Sequence, residues 1–214
     1  GTVIPDQYGG SGNSFTDLGC ITEIMGYFAC SLPLWDSAVL SAHAILEAGS
    51  EEQKSNYLPS IAKGQQIVSF ALTEPEYGWG PQTVNLKASE QNGNYILNGT
   101  KLFIPWAHIA DQILVVARTS EGADPSNGIS LFMVDKNAAG LSVRLQSGWL
   151  GDKVCEIKFD NVQVPPSAII GTVGQAWSAV EKALERATSV VSTYMAGGSQ
   201  RAYEMCRDYS TDRI

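Results

Sequence analysis

Histidine, clustered cysteine, basic runs and long apolar stretches are all scarce in this 214-residue sequence. The two histidines, His43 and His108, have no second His or Cys at ligand spacing, so no metal site is expected. Cys20, Cys30, Cys155 and Cys206 are widely and irregularly spaced and form no C-x-x-C pair. That pattern suits neither a disulfide framework nor a zinc site and points to a reducing compartment. Fourteen Lys and Arg residues are scattered against twenty-two Asp and Glu, giving a net charge of −8. A chain without a basic patch lacks the footprint for phosphate backbones, so nucleic acid is excluded as a partner. No apolar run reaches the length of a membrane span, and there is no internal repeat or low-complexity segment. No leader pattern is present, in a sequence that opens inside a motif at Gly1-Thr-Val-Ile-Pro-Asp6.

What is present is a 44% hydrophobic share, enough for a packed core in one large domain or two small ones. From about Phe15 to Ala62 the apolar residues recur at helical spacing (Leu18, Ile21, Met25; then Leu40, Ala44), predicting two or three helices. Gly49-Ser50-Glu51-Glu52-Gln53 reads as a stop followed by a Ser N-cap with Gln at the third helical position, and the new helix should end near Lys63-Gly64. From Gln66 the period becomes two, in eight short runs: 67–73, 83–89, 95–98, 101–104, 112–119, 129–135, 141–145 and 155–164. Asn92-Gly93 and Asn98-Gly99 are the clearest turn signals between them. Beyond Pro165-Pro166, Trp177, Val180, Leu184, Ala187, Val191 and Tyr194 share one helical face. The expected class is α+β: a helical N-terminal part (1–65), a central antiparallel β-barrel or sandwich (66–166) and the start of a C-terminal helical bundle (167–214).

Chemistry concentrates in Ser69-Phe-Ala-Leu-Thr-Glu-Pro-Glu-Tyr-Gly78 and Asn98-Gly-Thr-Lys-Leu-Phe-Ile104. Taken alone, Thr73-Glu74-Pro75 is a strand end with a capping hydroxyl and a carboxylate at a turn. Together with Pro5-Asp-Gln-Tyr-Gly-Gly-Ser-Gly12, Gly128-Ile-Ser-Leu-Phe-Met-Val134, Gly140-Leu-Ser-Val143 and Phe159-Asp-Asn-Val-Gln-Val-Pro165, the pair resembles the acyl-CoA dehydrogenase superfamily in motif and in order along essentially the whole chain. The first helices and most of the C-terminal bundle of that family have no counterpart in these 214 residues.

The resemblance implies FAD-dependent α,β-dehydrogenation of an acyl-CoA thioester, with a glutamate taking the α-proton and electrons passing to an electron-transfer flavoprotein. It implies a homo- or hetero-oligomer, in the cytoplasm of a bacterium or the mitochondrial matrix of a eukaryote. Phe70, Leu72, Thr73 and Gly78 match the flavin-cradling segment, and Phe103, Ile104 and Pro105 match its opposite wall. Two positions depart from the family: Trp79 stands where a serine is usual, and Pro105 where a threonine offers a hydroxyl and an N–H. Glu185, before Arg186, matches the catalytic glutamate of one branch of the family; in other members the base lies further along the chain. Its bland alternative is a solvated carboxylate one step round from the apolar stripe. Arg186 resembles an arginine on the CoA side, although the aspartate that accompanies it in some members is Ala183 here. Arg213 resembles the arginine that reaches a neighbouring subunit's cofactor. Trp106 and His108 replace a usual Asn-Gly turn and read as structural groups. Two other readings stand beside the dehydrogenase: a non-catalytic partner subunit of a hetero-oligomeric dehydrogenase, and an oxygen-using flavoenzyme of the same superfamily.

Overall fold

The structure, a computed structural model, describes residues 1–76, 78, 80–148 and 153–213. Helix α1 (Phe15–Tyr27) starts at a capping box in which the Ser14 hydroxyl accepts from the Asp17 N–H and Asp17 reaches back. A π-helical stretch, Leu34–Ser41, runs straight into α2 (Ala42–Ala48). Helix α3 (Glu51–Ala62) begins at the expected Ser50–Gln53 capping box and ends at Lys63, with Gly64 at φ +67°. Helix α4 (Trp177–Asp212) is one continuous element of 36 residues, roughly 54 Å long at 1.5 Å per residue. Among the described residues no helix is long and apolar enough to cross a membrane.

Between these helices lie eight strands: β1 (Val68–Ala71), β2 (Lys87–Gln91), β3 (Asn94–Pro105), β4 (Gln112–Arg118), β5 (Ile129–Asp135), β6 (Leu141–Ser147), β7 (Lys153–Val164) and β8 (Ile169–Ile170). They form one open sheet in the order β6-β7-β3-β2-β4-β5-β8, with β1 paired to β4. Most pairings are antiparallel, as expected, but β1 and β2 both run parallel to β4, and the sheet does not close into a barrel. Asn92 and Gly93, both at positive φ, make the tight turn joining β2 to β3. Asn98-Gly99 is not a turn: the two expected runs on either side are one strand, and the register against β7 shifts there as a bulge. Gly99 at φ +146° admits Leu86 so closely that a Cβ would come within 2.9 Å of its side chain. The run expected from Thr83 starts four residues late, because the N–H groups of Asn85 and Leu86 are taken by a side chain rather than by a strand.

Strand β4 is buried on both faces. Leu114 and Val116 pack with α2, α3 and α4, whereas Ile113, Val115 and Ala117 face β3 and β7 across a second core containing Phe132, Ile157 and Val162. The result is three layers: helices, the β1-β4-β5 half of the sheet, and its β2-β3-β7 half. Helices α1 and α4 pack with almost no side chain between them. A Cβ on Gly26 would lie 1.8 Å from the Tyr194 carbonyl oxygen, and one on Gly197 1.8 Å from that of Glu23, while the Thr22 and Thr193 hydroxyls meet at 2.6 Å. Gly26→Ala or Gly197→Ala should therefore cost roughly 1–3 kcal/mol through overpacking. Gly198→Ala, whose Cβ would meet only the Gly26 oxygen at 3.6 Å, should be neutral or stabilising because alanine favours the helix. Urea or thermal unfolding of the three variants measures the difference.

Candidate flavin and acyl site

The TEP segment and the NGxK strand are joined through a single buried cation. Lys101 on β3 is fully buried, and its Nζ donates to Glu74 Oε1 at 2.7 Å and to the Leu72 carbonyl at 2.9 Å. Glu74 in turn accepts the Asn85 N–H at 2.9 Å and the Leu86 N–H at 3.0 Å. Burial pulls the Lys101 pKa down from 10.5 to about 8, against the Glu74 charge that raises it. The Leu102 N–H donates to the Thr73 carbonyl, closing the link between the end of β1 and β3.

The free edge of β1 is satisfied by side chains of the π-helical stretch rather than by a strand. The Val68 N–H donates to Ser37 Oγ, the Ser41 hydroxyl donates to the Val68 carbonyl, and the Phe70 N–H donates to Asp36 Oδ2 at 3.3 Å. Asp36 is 3% exposed, and burial raises its pKa to about 8, only partly offset by the Phe70 N–H and the Ser69 hydroxyl. Sequence reasoning missed this residue, because one aspartate in an apolar helical run carries no pattern of its own.

Two adjoining cavities flank the Leu72–Thr73 backbone, each partly roofed by Leu184 of α4. The first, about 260 Å³, lies between Phe70 and Thr73 on one side and Phe103, Ile104 and Pro105 on the other, with Asp36 in its wall. The second, about 300 Å³, extends past Glu74 and Gly78 toward Trp177 and Glu181. Phe103 lies in the β3 bulge at φ +55° and is 44% exposed, a conformation and exposure unusual for a bulky aromatic. The Leu72 and Thr73 carbonyls are engaged inside the protein, whereas the Thr73 hydroxyl has no partner among the described residues. Phe103 and Thr73 thus stand on opposite walls of one mainly apolar space.

The expected residues do not all converge here. Phe70, Leu72, Thr73, Phe103, Ile104 and Pro105 line the first cavity and Gly78 the second; Trp79 lies outside the described residues. Glu185 is exposed and lines neither cavity: α4 turns Leu184, Ala187 and Val191 to the first, and Glu185 falls off that stripe. Arg186 is likewise exposed and stacks its guanidinium 5.0 Å over the Phe15 ring, on the side of the N-terminal helices rather than of the cavities. Arg213 is exposed at the far end of α4, 29 residues beyond Leu184 and so roughly 44 Å along the helix from this site. The His108 carbonyl accepts from Lys136, and its ring stacks on Trp106 and lies 3.8 Å from Cys155 Sγ. Among the described residues no cluster of His, Cys, Asp and Glu could hold a metal.

Comparison with known proteins gives two matching family models, "Acyl-CoA dehydrogenase, N-terminal domain" over residues 1–65 and "Acyl-CoA dehydrogenase, middle domain" over residues 69–162. An acyl-CoA dehydrogenase of Bacillus subtilis is 32% identical over the whole chain, which covers 58% of that protein. The FAD complex of PigA superposes with a TM-score of 0.90 at 28% identity, covering 99% of this chain and 57% of that one. The ChsE4-ChsE5 complex from Mycobacterium tuberculosis gives a TM-score of 0.75 at 26% identity, covering 86% and 48%. The chain thus spans about half the length of the proteins it matches.

Removing one partner of the buried pair leaves a desolvated charge. Lys101→Met should therefore destabilise by about 3–5 kcal/mol. Arg144→Ala removes an exposed guanidinium from Glu156, which keeps Lys158 within 3.5 Å, and should cost no more than about 1 kcal/mol. Equilibrium denaturation of the two variants tests the contrast.

Proposed function

The chain belongs to the acyl-CoA dehydrogenase family, and from that premise we propose that the protein binds FAD and α,β-dehydrogenates an acyl-CoA thioester. The observation that carries the proposal is the cavity between Thr73 and Phe103, walled by two motifs that a buried ion pair holds in register. The chemistry supplied by FAD when bound is acceptance of the β-hydrogen as hydride. The protein's part is orientation. The Thr73 hydroxyl is free to hydrogen-bond a polar ring edge, Phe103 offers an apolar face, and Leu184, Ala187 and Val191 exclude water from the α4 side. Pro105 contributes shape only, since it has neither hydroxyl nor N–H. We assign the α-proton to no residue of this segment. Glu185 is exposed and lines neither cavity, and the buried Asp36 carboxyl is engaged by the Phe70 N–H at the edge of β1. In this reading Arg213, exposed at the far end of α4, acts on a neighbouring subunit, and the exposed apolar residues Ile24, Phe28, Met195 and Tyr203 support an oligomer interface. Electron-transfer flavoprotein is the proposed acceptor.

A second reading, a partner subunit within a hetero-oligomeric dehydrogenase, is favoured by Pro105 and by Glu185 lying off the helix face that lines the first cavity. One experiment separates the two. Purified protein reconstituted with FAD should show flavin absorption and bleach anaerobically with acyl-CoA. A protein that stays colourless removes the cofactor assignment, and one that colours or bleaches only with a second subunit supports the partner reading. In an active preparation, Glu185→Gln should bleach at the parent rate, rather than with the roughly 10²–10⁴-fold loss that follows removal of a general base.

A further inference from the structure

We propose that Arg118 is a positioning residue for the second cavity: its guanidinium sets the wall at Gly80 and Thr83 and, through that wall, the fit of the acyl-CoA thioester. This rests on the proposed function, with the flavin ring in the first cavity and the thioester reaching the second. Among the described residues between the end of β1 and Lys87 there is no strand, only a 3₁₀ turn at Pro81–Thr83. That stretch nonetheless supplies Gly78, Gly80 and Thr83 to the second cavity, which they share with Trp177, Glu181 and Leu184 of α4. Gly80, at φ +97°, leaves the chain conformationally free there, so whatever fixes the wall comes from elsewhere.

Side chains of opposite charge replace the missing ladder. Glu74 accepts the Asn85 and Leu86 N–H groups, while Arg118, the last residue of β4, takes carbonyls: its Nε donates to Val84 at 2.8 Å and its Nη2 to Pro81 at 2.7 Å. The same guanidinium reaches the carbonyls of Asn127 at 3.1 Å and Pro125 at 3.2 Å, and the Arg118 N–H donates to that of Leu86 at 2.8 Å. Arg118 is 9% exposed, and among the described residues no carboxylate pairs with it. A buried cation held by carbonyls alone is a costly end to a strand in which Ile113 to Ala117 are all apolar, because its charge is desolvated without a counter-charge. What the guanidinium supplies in return is a rigid planar fork of donors that spans four carbonyls on two segments, a geometry that an ammonium or an apolar side chain lacks. The two anchors also serve different ends. Glu74 ties the stretch to Lys101 and so to the motifs around the first cavity, whereas Arg118 ties it to β4 and to residues 125–127, which line neither cavity. Loss of the fork should loosen the second cavity and leave the first as it is.

The test measures two affinities: FAD binding to the apoprotein by flavin fluorescence, and binding of S-hexyl-CoA, a thioether without an acidic α-proton, to the FAD-loaded protein by calorimetry. Arg118→Lys keeps the charge and loses the fork; its thioether Kd should rise roughly tenfold or more, while its FAD Kd stays within about threefold of the parent's. Arg118→Ala should show the same split, and added guanidinium chloride should restore its thioether affinity where equal sodium chloride does not. Guanidinium weakens a fold that is merely destabilised, so rescue separates positioning from general support. Arg118→Lys decides the matter alone if Arg118→Ala does not fold. Unchanged thioether affinity in Arg118→Lys, an equal loss of both affinities, or a loss in Arg118→Ala that guanidinium leaves unrestored overturns the inference and leaves the acyl-CoA reading intact. A parent protein that does not bind the thioether overturns the functional reading, and this inference with it.

Discussion

The contact between Lys101 and Glu74 is the constraint on which the candidate site depends. It joins the end of β1, the irregular segment before β2 and the middle of β3, three stretches with no continuous ladder between them. A buried ion pair is a weak source of net stability, since two desolvation costs offset the attraction. Its effect is positional. With the Leu72 carbonyl and two backbone N–H groups as further partners, the pair fixes where Thr73 stands relative to Phe103. That position is dry, Lys101 being fully buried, and burial pulls its pKa down to about 8.

A second constraint acts from the opposite side. Strand β1 has only β4 as a ladder partner, and its other edge would be left with unpaired groups. Ser37, Ser41 and Asp36 supply those partners from a π-helical stretch. The four residues of β1 are thus held by β4, by the helical layer and, just beyond their end, by Lys101. A short strand held on three sides is a rigid support for the hydroxyl that follows it.

Much of this was legible in the sequence, and the failures have physical causes. The capping box at Ser50, the Asn92-Gly93 turn and the change from helical to alternating patterning are local signals with local causes, and the structure carries all three. Asn98-Gly99 has the same local chemistry as Asn92-Gly93 but lies opposite β7, and the long-range ladder converts a turn signal into a bulge. The late start of β2 has a tertiary origin too, because Glu74 takes its first N–H groups from eleven and twelve residues away. Motif order brought Thr73 and Phe103 to one cavity, whereas for Glu185 the dipeptide match and the helical phase pointed different ways, and the exposed position it takes is the one the phase gives. Leu184 and Ala187 are three residues apart and share the cavity, and Glu185 lies about 100° round from Leu184.

Helix α4 connects the site to the rest of the molecule. One stripe on it, from Trp177 through Leu184 to Val191, roofs both cavities, and the turns that follow pack backbone to backbone on α1 through Gly26 and Gly197. With so little side chain between the two helices, a shift of α1 has no soft layer in which to be absorbed. The helix that roofs the cavity is thus also the helix that α1 packs against, so the two share one rigid support.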